Sequence, residues 1–346
     1  MFLAWKEIAR GKGRFALVVI VMVLISYLVY FLMGLAYGLA SSYTNGISKW
    51  NADDIVLTSD SNDNAMMSFL PDSAFEELQA EEKARFGLLP AVAKQSETSK
   101  TDVYLLGQES GTFLWEGIGA PSLGQWEVVA DSSLSKDGYE VGSSVSLVGF
   151  SKTLTIKAFA EKATYQTLPL LYMDLSSWRQ IRFSDADSLL SSGIATKGPS
   201  LSVPSSLKAY SVDEYYNSLP GYGAQVATFS LMISFLIAIA SFILGVFMYV
   251  LTLQKTSLFG VLKAQGVSSG YLARSVLSQT LLLIVPGCLL GFGLTALSVA
   301  FLGDKLPFAY NLWFNLAIGG AFVLFSLVGA LFSVKAVLRI DPVKAI

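Results

Sequence analysis

The 346-residue sequence contains no histidine and a single cysteine, Cys288, and only 14 % of its residues are charged. Without histidine there is no His-based metal site, no His-dependent catalytic triad and no histidine-ligated cofactor. One cysteine excludes a disulfide within the chain. An ordinary soluble domain carries about 25 % charged residues, and the shortfall here is concentrated. Residues 15–48, 215–254, 275–303 and 306–334 hold no Asp, Glu, Lys or Arg, in windows of 34, 40, 29 and 29 residues. About 20 apolar residues cross the hydrocarbon core of a bilayer. Four such windows exclude a soluble globular protein and predict four membrane-spanning helices.

Recognisable chemistry is also missing. The nearest approach to a phosphate loop, Gly149-Phe-Ser-Lys-Thr, lacks the Gly-Lys-Ser/Thr order that places backbone amides and a lysine around a phosphate. Gly291-Phe-Gly-Leu-Thr-Ala imitates a dinucleotide fingerprint, but it lies inside a predicted span with no strand before it. Small residues at a helix–helix contact account for it better. No catalytic constellation, bound cofactor or metal site is expected. The net charge of −2 argues against nucleic acid as a partner.

What charge there is sets the topology. Segments 1–14, 254–274 and 334–346 together hold ten basic and two acidic residues; residues 49–214 hold 13 basic and 23 acidic. That bias predicts cytoplasmic termini and a large segment outside. The layout expected is a cytoplasmic amphipathic segment at 1–14, the first span at 15–40, an extracellular α+β domain at 41–221 and the second span at 222–253. A cytoplasmic loop at 254–274, the third span at 275–302, a short outer loop at 303–310, the fourth span at 311–333 and a cytoplasmic tail at 334–346 complete it. A cleavable signal peptide is the rival for the first window, since Gly38-Leu39-Ala40 has the small residues of a cleavage site. An apolar stretch of about 25 residues is too long, because a signal core runs to about 7–15. Within the outer domain, the strings starting at Asp54, Thr101, Ser144 and Thr153 alternate as strands, and 72–82 and 175–182 read as helices.

The loop Gln254-Lys-Thr-Ser-Leu-Phe-Gly-Val-Leu-Lys-Ala-Gln-Gly is amphipathic, and the tail reads Val337-Leu-Arg-Ile-Asp-Pro-Val-Lys-Ala-Ile. Taken alone, the loop is a snorkelling basic linker and the tail a helix end with Pro342 as its breaker. Both also resemble signatures of ABC-transporter permeases of the MacB/FtsX type. The loop matches at Phe259, Gly260, Leu262, Lys263, Ala264 and Gly266, and the tail at Arg339, Asp341, Pro342 and Ala345. The resemblance covers the whole chain. It implies a homodimeric permease in a bacterial cell membrane, with these residues coupling it to two copies of a separate ABC ATPase that uses the ATP.

Shorter strings, Met1-Phe-Leu-Ala-Trp-Lys-Glu-Ile, Met33-Gly-Leu-Ala-Tyr-Gly-Leu-Ala and Thr164-Tyr-Gln-Thr-Leu-Pro-Leu-Leu-Tyr-Met-Asp, resemble the haem-efflux permeases of Gram-positive bacteria, which implies haem as the substrate. Residue spacing permits it. Tyr30, Met33 and Tyr37 share one helical face, Gly34 and Gly38 form a GxxxG pair beside it, and Tyr222, Gln225, Phe229 and Met232 have similar spacing on the second span. Two such pairs about a two-fold axis make a flat, Met-lined slot at outer-leaflet depth, and Met and Tyr both ligate haem iron. Interfacial tyrosines and packing methionines explain the same residues without a ligand. Export of an antimicrobial peptide or antibiotic, or FtsX-like regulation of an extracellular cell-wall enzyme, are the alternatives.

Overall fold

A computed structural model describes residues 11–94, 100–119, 123–185, 188–302 and 306–338. The chain divides into two compact units, Leu39–Gln225 and, from both ends of the sequence, Met1–Gly38 with Val226–Ile346.

The second of these is helical. Helix α1 (Lys12–Ser48) begins in it, and after the inserted unit the chain returns as α5 (Tyr222–Gln254), α6 (Thr256–Ala264), α7 (Ser269–Leu302) and α8 (Leu312–Leu338). Four of these helices are long and apolar enough to cross a membrane, at Phe15–Ser48, Tyr222–Gln254, Ser269–Leu302 and Leu312–Lys335. Each exceeds the roughly 20 residues that a bilayer requires. Their contacts use small residues. Gly287 and Gly291 of α7 lie against Met22 and Ser26 of α1, and Ser26 Oγ donates to the Gly287 carbonyl at 2.8 Å. Gly293 faces open space, so of the glycines in the false dinucleotide fingerprint only Gly291 makes the close contact. Pro286 sits within α7 without ending it.

The inserted unit carries the remaining short helices, α2 (Asp72–Glu77), α3 (Leu175–Phe183) and α4 (Val212–Ser218), and twelve strands, β1 (Asp54–Thr58) to β12 (Leu207–Ser211). Its main sheet runs β12-β1-β11-β3-β4-β9-β5-β7-β6, where β3 is Gln79–Lys94, β4 Lys100–Gln108, β5 Glu127–Asp131, β6 Ser144–Leu147, β7 Thr153–Ala160, β9 Leu168–Asp174 and β11 Gly193–Ser202. β6 also pairs with β3 at Ala93 and Lys94, so six strands close on themselves while β11, β1 and β12 extend the sheet from the other half of β3. Closure removes one pair of sheet edges. This is the α+β domain that the alternating strings announce.

The predicted helix over 72–82 needs correcting. It stops at Glu77, and residues 79–82 open the 16-residue β3, with Gln79 opposite Ser202 and Glu82 opposite Lys197. The Gln-Ala-Glu-Glu string favours helix locally, and strand pairing overrides it. The first helix also runs past the expected limit at residue 40, to Ser48.

Candidate functional site

The predicted site residues of α1 lie at its packed face. Tyr30 is 7 % exposed, its ring set edge-on to Phe292 at 5.5 Å and its hydroxyl beside Cys288; a Cβ on Gly319 would stand 2.6 Å from that hydroxyl. Met33 is half-buried against the same apolar core. Tyr37 Oη accepts from Asn311 Nδ2 at 3.3 Å, and its ring lies 5.7 Å from Phe314. On this i, i+3, i+7 face Tyr30 touches the third span and Tyr37 the fourth.

The GxxxG pair is a correction. Gly34 takes the ring of Phe308 and Gly38 the backbone of Pro307, while Ala309 N–H donates to the Gly34 carbonyl at 3.2 Å. Among the described residues, what the two glycines admit is the segment leading into α8 and not a helix. An irregular segment has orphan backbone groups, and a glycine-faced helix lets them approach closely enough to be satisfied.

On α5 the four predicted residues separate. Tyr222 belongs to the inserted unit, with its ring 5.8 Å from Tyr43 and 6.5 Å from Tyr216. Gln225 is in that unit too, its Nε2 buried without a partner among the described residues. Phe229 is half-buried and Met232 is 41 % exposed, both in the membrane unit. Beyond Met232 an exposed stripe continues through Phe235, Ile239, Phe242, Val246, Tyr249 and Leu253, at helical spacing. The opposite face, Ile233, Ile237, Ala240, Leu244, Met248 and Leu251, is buried in the bundle.

The loop between the second and third spans folds as α6. Phe259 is 2 % exposed and sits in the membrane unit's core, Gly260 is buried beside it, and Leu262 is half-buried. Lys263 Nζ donates to the Leu338 carbonyl at 3.4 Å. Gly266 adopts φ +91°. Its N–H donates to Lys263 O at 2.9 Å, and Val267 N–H to Leu262 O at 3.0 Å. Those two bonds are a Schellman cap, which calls for a left-handed residue at that position. The loop motif thus encodes an anchored helix with a defined end: Phe259 and Leu262 fix it inward, and Gly266 turns the chain into α7.

Its open side presents Leu258, 50 % exposed, Val261 and Ala264. Leu258 was not among the predicted coupling residues, although the 258, 261, 265 spacing marks the face opposite Phe259. Arg339, Asp341, Pro342 and Ala345 lie outside the described residues.

In the inserted unit, several titratable groups brace the fold. Arg85 pairs with Asp72 at 2.9 Å and with Glu109 at 2.6 Å, its guanidinium stacked 3.7 Å over Phe75. Hydrogen bonds from Tyr210 and Lys208 hold the Asp63 carboxyl below its usual range. Partial burial, with Asp53 and Glu214 nearby, raises Asp54. Among the described residues no three His, Cys, Asp or Glu side chains gather as a metal site.

Residues 230–342 match the family described as FtsX-like permease C-terminal. A protein of Staphylococcus haemolyticus named putative hemin transport system permease protein HrtB is 25 % identical over 354 aligned residues, covering 100 % of this chain and 99 % of its own length. A protein with the same name from Staphylococcus epidermidis is 23 % identical with the same coverage. Among solved structures, the extracellular domain of the noncanonic ABC-type transporter YknZ from Gram-positive bacteria aligns over 43 % of this chain and 83 % of that one, at 13 % identity and a TM-score of 0.31.

Proposed function

We propose that this chain, with its FtsX-like permease C-terminal domain, is the membrane subunit of an ABC-type efflux pump that expels haem, or a lipophilic molecule of similar shape, sideways from the bilayer. The permease class rests on the matched domain, the four spans and the large inserted unit. The observation that carries the haem reading is likeness along the whole chain to permeases named for hemin transport. ATP hydrolysis falls to a separate subunit on the side bearing the basic loops, and the inserted domain lies outside the cell. Two copies of the chain would pair through bare apolar surface at the outer end of α5, where Leu231 and Phe235 are exposed.

The charge-free spans suit a lipophilic substrate. A hydrated path for charged solutes lines itself with ionisable or strongly polar groups, and the four windows hold no Asp, Glu, Lys or Arg. An amphiphile need not enter such a path: it leaves the membrane at the side of the protein. Movement of the ATPase subunits would act on α6 through Leu258, Val261 and Ala264. Because Phe259 seats α6 in the bundle core, a push on α6 is a push on the bundle. α1 and α5 are each unbroken over more than 30 residues, so they can transmit an axial displacement.

Within the slot, the tyrosines act as supports. Tyr30 and Tyr37 spend their hydroxyls on Cys288 and Asn311, so they fix the wall. Met33 and the exposed Met232 are the soft side chains left for iron, and Phe229 offers a ring for the macrocycle. The test is a haem titration of the detergent-solubilised protein followed by the Soret band. Saturable binding without a bis-His spectrum is expected. Removing Met232 or Met33 takes away a contact of about 1–3 kcal/mol, or about 5- to 150-fold in affinity. Absence of saturable binding to the wild type would remove the haem reading and favour regulation of a cell-wall enzyme or peptide export.

A further inference from the structure

An apolar groove of about 440 Å³ opens on the membrane-facing side of the bundle between α5 and α8. Phe242, Val246 and Phe332 wall it, Gly245 and Gly329 form its floor, and Tyr249 and Lys335 stand at one end. The floor glycines bring the two helices together, and the exposed large side chains on either side leave an apolar trough between them. Lys335 is exposed, with no carboxylate partner among the described residues.

Depth gives the groove a polarity. Lys335 lies 23 residues beyond Leu312, about 35 Å along α8 at 1.5 Å per residue, which is slightly more than the roughly 30 Å hydrocarbon core. Its ammonium therefore reaches the head-group layer on the side of α6, the side with the excess of basic residues. Tyr249, near the end of α5, sits at the same boundary, where aromatic hydroxyls collect. Phe242 lies about 10 Å deeper along α5, inside the acyl region. One end of the groove is cationic with a hydroxyl donor, and the rest is hydrocarbon.

We propose that this groove is a binding site for one anionic phospholipid of the cytoplasmic leaflet, with its phosphate on Lys335 and Tyr249 and an acyl chain between Phe242 and Phe332. Charge complementarity selects this occupant. The cytoplasmic leaflet is rich in anionic lipid, and basic pockets between spanning helices on that side take its head groups. A second copy of the chain would bring mainly further positive charge to this face, since the segments on that side hold ten basic residues against two acidic ones. A bound lipid would brace the α5–α8 contact at the end nearest α6. The site is separate from the haem slot and holds whether or not haem is the substrate.

Native mass spectrometry of the full chain, extracted from vesicles of equal phosphatidylglycerol and phosphatidylcholine, tests it. The wild type should retain one phosphatidylglycerol in preference to phosphatidylcholine. Lys335→Gln should lower that preference about fivefold, the effect of one basic residue near a membrane surface. Lys335→Arg should keep it, and Val246→Trp, which fills the trough, should reduce retention of both lipids. No preference in the wild type, or an unchanged preference in Lys335→Gln, overturns the proposal. Loss of the dimer in Lys335→Gln and Val246→Trp, with lipid retention unchanged in what remains, would make the groove a subunit interface and overturn it equally.

Discussion

Gly245 and Gly329 face each other across the α5–α8 contact, so close that a Cβ on Gly245 would stand 2.7 Å from the Gly329 carbonyl oxygen. The atoms on both sides of that contact are backbone, so no flexible side chain can yield. A Gly329→Val chain should be destabilised by about 1–3 kcal/mol, the cost of overpacking, and should melt lower in detergent than the wild type. Gly293→Ala is the contrast. Open space surrounds Gly293, and alanine favours helix, so its melting temperature should hold or rise slightly.

Gly266 makes a different demand, conformational instead of steric. No atom lies within 4 Å of a Cβ built there, yet φ is +91°. Alanine should cost about 1–2 kcal/mol, locally, by disfavouring the left-handed turn that ends α6. Gly266→Ala is expected to insert normally, to exchange amide hydrogens faster over 256–267, and to lower ATPase activity measured with the partner subunit. Gly266→Asn should lie between the two, since asparagine tolerates that region better than alanine. Normal coupling in Gly266→Ala would detach the loop's shape from its function.

The spans are legible in the sequence because charge-free windows need no knowledge of the fold. The end of the first helix is not, because Ser41-Ser42-Tyr43-Thr44-Asn45 carries no apolar period. Tertiary bonds hold that end: Gln166 N–H and Thr167 N–H donate to the carbonyls of Tyr43 and Ser42 at 3.0 and 3.1 Å, and Tyr172 Oη donates to Gly46 O at 3.2 Å. Residues 79–82 were lost to β3 for the same reason, a partner strand more than a hundred residues away. Helical spacing puts Tyr30, Met33 and Tyr37 on one face of α1. It did not reveal Phe308 on Gly34 or Asn311 on Tyr37, since a helical wheel describes a face and not its neighbour.

The inserted domain offers a pH-dependent test. Asp54 has its pKa raised above the ordinary carboxylate value of 3.8, first by burial and then by Asp53 and Glu214. The folded state therefore binds this proton more tightly than the unfolded chain. The stability it lends is complete below about pH 3.8 and disappears as pH rises through the folded value, leaving repulsion at neutral pH. Asp54→Asn should raise the domain's unfolding temperature at pH 7, by an amount corresponding to about 0.5 kcal/mol given solvent screening, and should gain nothing at pH 3. A larger gain at pH 3 than at pH 7 would reverse the sign.

Orientation can be read chemically. With Cys288 replaced by Ala, a cysteine at the exposed Ser135 should react with an impermeant thiol reagent in intact cells. One at the exposed Ser268 should react only after lysis. The opposite pattern would invert the topology and place the inserted domain in the cytoplasm.

The most direct test of the central claim is transport itself. The chain and its ATPase subunit are reconstituted into vesicles with haem dissolved in the bilayer, and transfer of haem to a soluble haem-binding acceptor is followed after adding ATP. The account predicts transfer that requires ATP and both subunits, and that falls when Met232 is replaced by Ala while ATPase activity persists. Transfer at the same rate with and without ATP, in a complex that hydrolyses ATP, would contradict it.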